Sequence, residues 1–212
     1  MNADQDSRRA ESMPLINAIE FAVNLQRTGQ FSRARNIYAR LLETHPQNPN
    51  VLHMRGMLEL ERGGAIIALP WLEKAAQLAP SAAAIQINLG LAYEYCARLE
   101  DARYAYERAS QLAPNLARPM ISLAGVWTNL KRDDEAERIL QEVFRRHPGE
   151  PLACALWSEI YTRKNEFDKA EQMLRRALGH PDLEGRKRGA ILMLLGKLLD
   201  KMERYDEAFE AF

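Results

Sequence analysis

Five alanines recur along the chain at a constant step of 34 residues: Ala34, Ala68, Ala102, Ala136 and Ala170. Four prolines keep the same step, each 12 residues after an alanine: Pro46, Pro80, Pro114 and Pro148. Self-similarity at a constant period of this length is typical of stacked helix–turn–helix repeats. Each such unit buries its apolar face only against its neighbours. The pattern therefore predicts an array of helical hairpins and not a compact globular domain.

Three further columns of residues keep this phase. A small residue stands 12 positions before each alanine: Ala22, Gly56, Gly90, Ala124 and Ser158. Directly before it stands a bulky residue, except at Arg55: Phe21, Leu89, Leu123 and Trp157. Three positions after it stands another, except at Glu59: Leu25, Tyr93, Trp127 and Tyr161. Helices approach closely only where one presents a small residue, so these columns predict the contact inside each hairpin.

The third repeat carries the pattern most completely, as Leu89-Gly90-x2-Tyr93, then Ala102-x3-Tyr106-x2-Ala109, then Pro114. This pattern resembles the tetratricopeptide repeat (TPR) family over about residues 15 to 212. The resemblance implies an all-α fold, an α-solenoid of helix–turn–helix repeats wound into a right-handed superhelix. The phase predicts five full repeats and a truncated sixth, at residues 15–48, 49–82, 83–116, 117–150, 151–184 and 189–212.

The register breaks once, near the end of the chain. The next alanine in phase, Ala208, comes 38 residues after Ala170, so residues 185–188 are expected to form an inserted loop. This loop carries the run Arg186-Lys187-Arg188, which we interpret as solvated surface, with contact to a phosphate or an acidic partner as the alternative. Residues 1–14 begin with a polar stretch and are expected to form a disordered N-terminal tail.

Composition excludes several classes of function. The 29 Lys and Arg residues balance the 29 Asp and Glu residues, which argues against a general nucleic-acid binder. No apolar run is long enough to span a membrane. The two cysteines, Cys96 and Cys154, match no metal or redox spacing, as suits a cytoplasmic chain. The histidines stand apart from other metal ligands, and no catalytic motif occurs, so we expect no enzyme activity, cofactor or metal within these residues.

In the family that the chain resembles, the first helix of each repeat lines a concave groove that binds a peptide. Carried over, the groove consists of an apolar floor with a polar patch at Asn88 and Arg118. The floor residues of the first four repeats are Ile19, Val23, His53, Met57, Ile87, Leu91, Ile121 and Gly125. The equivalent places in the last two repeats are Ala155, Glu159, Met193 and Lys197.

Periodicity in the third repeat supports such a surface independently. Ile85, Leu89 and Tyr93 form one helical stripe, while Ile87 and Leu91 form a second on another side of the same helix. A helix that is apolar on two faces buries both or exposes one to a partner. Two interpretations therefore remain: a groove that binds a protein or peptide ligand, or a second stripe that packs within the array.

Two specialised grooves of the family are not predicted. The carboxylate clamp of chaperone-binding members needs Lys, Asn and Arg on successive first helices. Asn88 and Arg118 match, but His53, Met57 and Ser122 stand at the other places. Only Asn88 fits the asparagine ladder of the sugar-transferase members.

The sequence favours a non-catalytic scaffold that binds a segment of another protein. An alternative is that residues 195–209 resemble the last repeat before the catalytic domain of bacterial TPR-containing sulfotransferases, so that the chain is the recognition arm of a longer enzyme. A second alternative is self-assembly, with a homodimer formed through the C-terminal repeat. That repeat carries an apolar set that should fray after about Arg204 or pair with another copy: Leu192, Leu195, Leu199, Phe209 and Phe212.

Pro70 is expected inside the second helix of repeat two. An interior proline removes a hydrogen bond and crowds the carbonyl four residues before it, here that of Ile66. We therefore expect this helix to bend, to open locally, or to begin late after Gly63 and Gly64.

Overall fold

The computed structural model describes Asp6 and residues 10–211. From Leu15 to Ala211 the chain forms twelve α-helices and no β-strand. The first helices of six hairpins are α1 (Leu15–Arg27), α3 (Pro49–Glu61), α5 (Ala83–Tyr95), α7 (Ala117–Asn129), α9 (Pro151–Arg163) and α11 (Gly185–Lys201). The second helices are α2 (Phe31–Thr44), α4 (Ala65–Leu78), α6 (Leu99–Leu112), α8 (Asp133–Arg146), α10 (Phe167–Leu178) and α12 (Tyr205–Ala211). The predicted all-α array of helical hairpins is confirmed.

The chain divides into two compact units, Met1–Ala113 and Pro114–Phe212. The first unit holds the hairpins formed by α1 to α6, and the second holds those formed by α7 to α12. Each unit has its own buried apolar clusters, built from the facing sides of its hairpins.

The small columns form the close contacts inside the hairpins. All five alanines of the 34-residue column are fully buried. A Cβ atom at Gly90 would lie 2.6 Å from Tyr106 Cε1, and one at Gly56 would lie 2.6 Å from Leu72 Cγ. Both distances are too short for two carbon atoms, so only glycine lets these helices approach as they do.

The proline column ends the second helices. The four residues that directly precede these prolines share φ between −132° and −134° and ψ between 62° and 74°: His45, Ala79, Ala113 and His147. The proline ring disfavours the helical region for the residue before it, which accounts for this shared departure. Helix α10 has no proline in phase, and its C-terminal cap Gly179 keeps helical angles.

Every hairpin turn contains one residue in the left-handed region. The six residues have φ between 56° and 78°: Gly29, Gly63, Ala97, Lys131, Asn165 and Glu203. The first five follow the 34-residue step, and the sixth follows the 38-residue step. The turn geometry is therefore a property of the repeat, although only two of the six residues are glycine.

The expectation of an inserted loop at residues 185–188 is wrong. These residues form the first turn of α11, which has 17 residues where the other first helices have 13. Four residues are close to one helical turn of about 3.6 residues. The insertion therefore lengthens the helix by a turn while its buried face stays in phase.

Two of the three effects expected of Pro70, a local opening of the helix and a late start, are wrong, whereas the expected bend stays a prediction. Helix α4 runs without interruption from Ala65 to Leu78 and begins in phase, with Pro70 inside it. Pro70 is exposed, and Ile66, whose carbonyl loses its helical partner, is 79% exposed. Water can satisfy that carbonyl, which lowers the cost that an interior proline carries in a dry environment.

The expected disordered tail falls mostly outside the described residues. Of its described members, Asp6 and Ala10 are buried, and Asp6 Oδ1 accepts a hydrogen bond from Arg33 Nη2 at 2.8 Å. These two residues therefore pack on the first unit and are not part of a free tail.

At the other end, α12 is helical as far as Ala211, and Phe212 lies outside the described residues. Within the described part of the chain, no helix combines the length and apolar character that a membrane span needs.

Candidate functional site

Four of the predicted groove residues are closed off from solvent. Ile19, His53, Ile87 and Ile121 occupy equivalent positions in successive first helices, and each is at most 9% exposed. Ile19 lies in the same buried cluster as Val51 and Leu58 of the next hairpin. These four side chains contribute to packing within the array, as the alternative interpretation of the second stripe requires.

The contrast with the sixth repeat supports this reading. Met193 occupies the equivalent position in α11 and is 52% exposed. The position is therefore accessible in the last hairpin but covered in the first four.

The accessible part of the predicted groove lies one position after the small column. Val23, Met57 and Leu91 are half-buried there. Met57 and Leu91 belong to successive first helices, α3 and α5, and both pack on the same buried cluster of the first unit. Val23 packs on the other cluster of that unit. Met57 and Leu91 thus form an apolar surface that packs on the buried cluster on one side and is partly exposed to solvent on the other.

A hydrogen bond ties the two helices together at this surface. Asn88 Nδ2 lies 2.8 Å from His53 Nε2. Burial lowers the pKa of His53 to about 4, so the imidazole is neutral at pH 7. In a neutral ring, Nε2 of His53 accepts the hydrogen bond from the Asn88 side-chain amide. The proton of the imidazole is therefore assigned to Nδ1. Half of the predicted polar patch is therefore engaged with a neighbouring repeat.

Arg118, the other half of that patch, is exposed at the start of α7 in the second unit. It forms no salt bridge among the residues that the structure describes.

Sequence reasoning missed two residues that continue this surface along α5. Glu94 and Tyr95 come three and four positions after Leu91, which places them one turn further on the same side of the helix. Tyr95 is 67% exposed. Glu94 is half-buried and accepts a hydrogen bond from the hydroxyl of Tyr106 at 2.6 Å. The i, i+3, i+4 spacing from Leu91 is the signal that could have identified them.

Burial raises the pKa of Glu94, and the hydrogen bond from Tyr106 offsets only part of that shift. The surface therefore combines apolar side chains with an amide, a carboxyl group and a phenol, a composition suited to a peptide. No cluster of three potential metal ligands occurs in the described part of the chain.

Comparison with known proteins agrees with this architecture. Two family models, both described as tetratricopeptide repeat, match residues 19–83 and 153–187. No curated protein sequence matches the chain.

Several solved structures share the fold. The chain resembles the APC/C hetero-tetramer Cut9–Hcn1 with a TM-score of 0.76 at 20% identity, over 90% of this chain and 37% of that one. It resembles pilF of Pseudomonas aeruginosa with a TM-score of 0.74 at 18% identity, over 99% of this chain and 90% of that one. YrrB, described as a TPR protein with an unusual peptide-binding site, matches with a TM-score of 0.56 at 16% identity, over 82% of this chain and 88% of that one.

The chain thus spans just over a third of the Cut9–Hcn1 chain and most of the other two. Identities this low show a shared fold alone. Together with the two matched family models and the helical hairpins at a 34-residue step, they lead to one conclusion. Residues 19–83 and 153–187 match tetratricopeptide repeats, and the chain folds as an all-α TPR solenoid.

Proposed function

We propose that the chain is a non-catalytic scaffold that binds a peptide or a segment of another protein on the surface formed by Met57, Asn88, Leu91, Glu94 and Tyr95. The fold itself supports the coarser part of this statement, because TPR domains bind protein or peptide partners and are generally not catalytic. One observation supports the choice of surface. Met57 and Leu91 are apolar, partly exposed, and anchored on a common buried cluster.

The surface is also preorganised. The hydrogen bond between His53 and Asn88 holds α3 and α5 in register, so the ligand need not order them. Methionine adapts its shape to varied side chains, which suits the recognition of a segment and not of one small molecule.

A pair of matched double variants tests the proposal. Met57→Glu with Leu91→Glu places two charges on the surface and should abolish capture of partner proteins from the source cells. The control is Ile66→Glu with Ile67→Glu, which makes the same change at two exposed isoleucines of α4. Both variants should keep the helicity of the unmodified chain by circular dichroism.

The two arms separate binding at this surface from a general effect of charge. Capture that survives in the Met57/Leu91 variant would contradict the proposal. Equal loss of capture in both variants would also contradict it, because the effect would then not depend on the surface.

A further inference from the structure

The second unit contains a cavity of about 390 Å³ between α9 and α11. Its lining is mainly apolar: Leu152, Ala155, Leu183, Ile191 and Leu194. Leu183 and Ile191 are buried and lie at the bottom of the cavity. Leu152 and Leu194 are 50% and 40% exposed and lie at its opening. The volume lies within the range of about 300 to 1,000 Å³ that is usual for ligand sites. It has room for a large apolar side chain and part of its backbone.

The additional first turn of α11 supplies cations to the wall of this cavity. Arg186 and Lys187 line it, and both are exposed. Neither forms a salt bridge with another described residue. Their neighbour Arg188 does not line the cavity, and its Nη1 donates to the carbonyl of Leu178 at 3.0 Å.

The rim also contains two acidic residues, Glu150 and Asp182. Glu150 is already engaged, because its Oε2 accepts a hydrogen bond from the backbone N–H of Ala153 at 2.8 Å and caps α9. Neither carboxylate forms a salt bridge with Arg186 or Lys187 among the described residues. The cations on the α11 wall are thus available to an external group.

This placement of charge works against the stability of the unit. The first turn of α11 has three consecutive basic residues and no acidic residue. Cations are unfavourable at the start of a helix, where the backbone dipole is positive. The nearest carboxylate, that of Glu184 at the N-cap, makes no cap hydrogen bond to this turn. A departure from a local rule of this kind is typical of a functional site.

We propose that this cavity binds a segment of another protein in which a large apolar side chain lies next to an acidic residue. The apolar side chain enters between Leu152 and Leu194 and covers their exposed surface. The adjacent carboxylate lies against Arg186 and Lys187 and offsets their charge. The site uses none of the residues of the surface on α3 and α5, so it stands or falls independently of the function proposed above.

Three labelled peptides of equal length test the proposal with the full chain. The first has a central Phe flanked by Asp, the second a central Phe flanked by Lys, and the third a central Ser flanked by Asp. Fluorescence anisotropy should show binding of the first peptide, with the other two at least about tenfold weaker. Methyl NMR should place the shifts of the first peptide at Leu152, Ala155 and Leu194.

Two variants distinguish a specific contact with the cations on the cavity wall from a general effect of net charge on peptide binding. The double variant Arg186→Gln with Lys187→Gln should weaken the binding of the first peptide by about tenfold. Arg188→Gln, which removes a neighbouring cation outside the cavity, should change its affinity by less than about twofold. The proposal is overturned if the first peptide does not bind at millimolar concentration, if the Lys-flanked peptide binds equally well, or if the shifted methyl groups lie elsewhere. Equal effects of the two charge variants would overturn it as well.

Discussion

In the second repeat, Arg55 and Glu59 stand where the other repeats have bulky apolar residues. The charges of these two residues neutralise each other. Arg55 Nη1 donates to Glu59 Oε1 one helical turn away, and Arg35 Nη2 donates to Glu59 Oε2 at 2.6 Å. Glu59 is only 2% exposed. Burial by itself would raise the pKa of Glu59, but the hydrogen bonds from the two arginines hold it below its usual value. An ion pair here takes the place of the bulky pair used in the other repeats.

This pairing predicts strong coupling between the two positions. Glu59→Tyr alone, the residue type of repeats three and five, should cost about 3 kcal/mol, because it leaves the mostly buried guanidinium group of Arg55 without its carboxylate. Adding Arg55→Leu should recover more than about 1 kcal/mol of that loss. Urea unfolding of the two single variants and the double variant measures the coupling. Strictly additive losses would show that the two departures are independent.

His53 predicts a pH dependence of stability. Its pKa is lowered by burial to about 4 in the folded chain, below the ordinary value of 6.5. The unfolded chain therefore takes up the proton first, and stability falls as the pH drops from 6.5 towards 4. The loss at pH 5 should be about 2 kcal/mol relative to pH 7.5.

The matched measurement uses His53→Gln, which removes this titration while the carboxyl groups remain. The difference in unfolding free energy between wild type and variant should narrow as the pH falls. A difference that stays constant between pH 7.5 and 5 would contradict the assignment.

At the scale of the elements, substitutions in the hairpin turns measure the free-energy cost of a positive φ where no side-chain contact is changed. A Cβ atom at Gly63 would meet no other atom within 4 Å, so Gly63→Ala changes only the cost of a positive φ. It should destabilise the chain by about 1 kcal/mol. Ala97→Gly, at the equivalent turn, should stabilise it by up to about 1 kcal/mol. Thermal unfolding compares the two, and a destabilising Ala97→Gly would show that the turn at Ala97 is not strained.

Helix α4 offers a second test at this scale. Pro70→Ala restores the hydrogen bond to the carbonyl of Ile66 and should stabilise the chain by about 1 to 3 kcal/mol. Pro151→Ala, at the first position of α9, is the control and should change stability by less than about 0.5 kcal/mol, because that N–H has no helical partner. If both substitutions have the same effect in urea unfolding, the position of the proline does not matter and the account of α4 is wrong.

At the scale of the whole molecule, the last hairpin presents an apolar surface to solvent. Phe209 is 85% exposed, Tyr205 62% and Met193 52%. We expect this surface to drive concentration-dependent self-association, most simply about a two-fold axis. Phe209→Glu should shift the chain to a monomer in sedimentation experiments, whereas Ile66→Glu, at an exposed isoleucine of α4, should not. A wild-type chain that stays monomeric at high concentration would contradict this expectation.

Much of the fold was predictable because repetition makes packing visible in the sequence. The alanine and glycine columns mark close contacts at a constant step, and the prolines mark where helices end. The candidate site was predictable only in part. Met57 and Leu91 are accessible, as a groove requires, whereas Ile87 and Ile121, which look equally suitable by spacing, are buried.

By itself, the sequence determined the repeat length, the hairpins and the residues at their inner contacts, because these depend on local spacing and on the size of side chains. Only the tertiary structure decided which of two apolar faces stays accessible, since that depends on what the neighbouring hairpins cover. It also decided that Glu59 is satisfied by Arg35 of the preceding hairpin, 24 residues away. It also decided that residues 185–188 form a helical turn, because a four-residue insertion fits either a loop or one turn of helix and the column spacing does not distinguish the two.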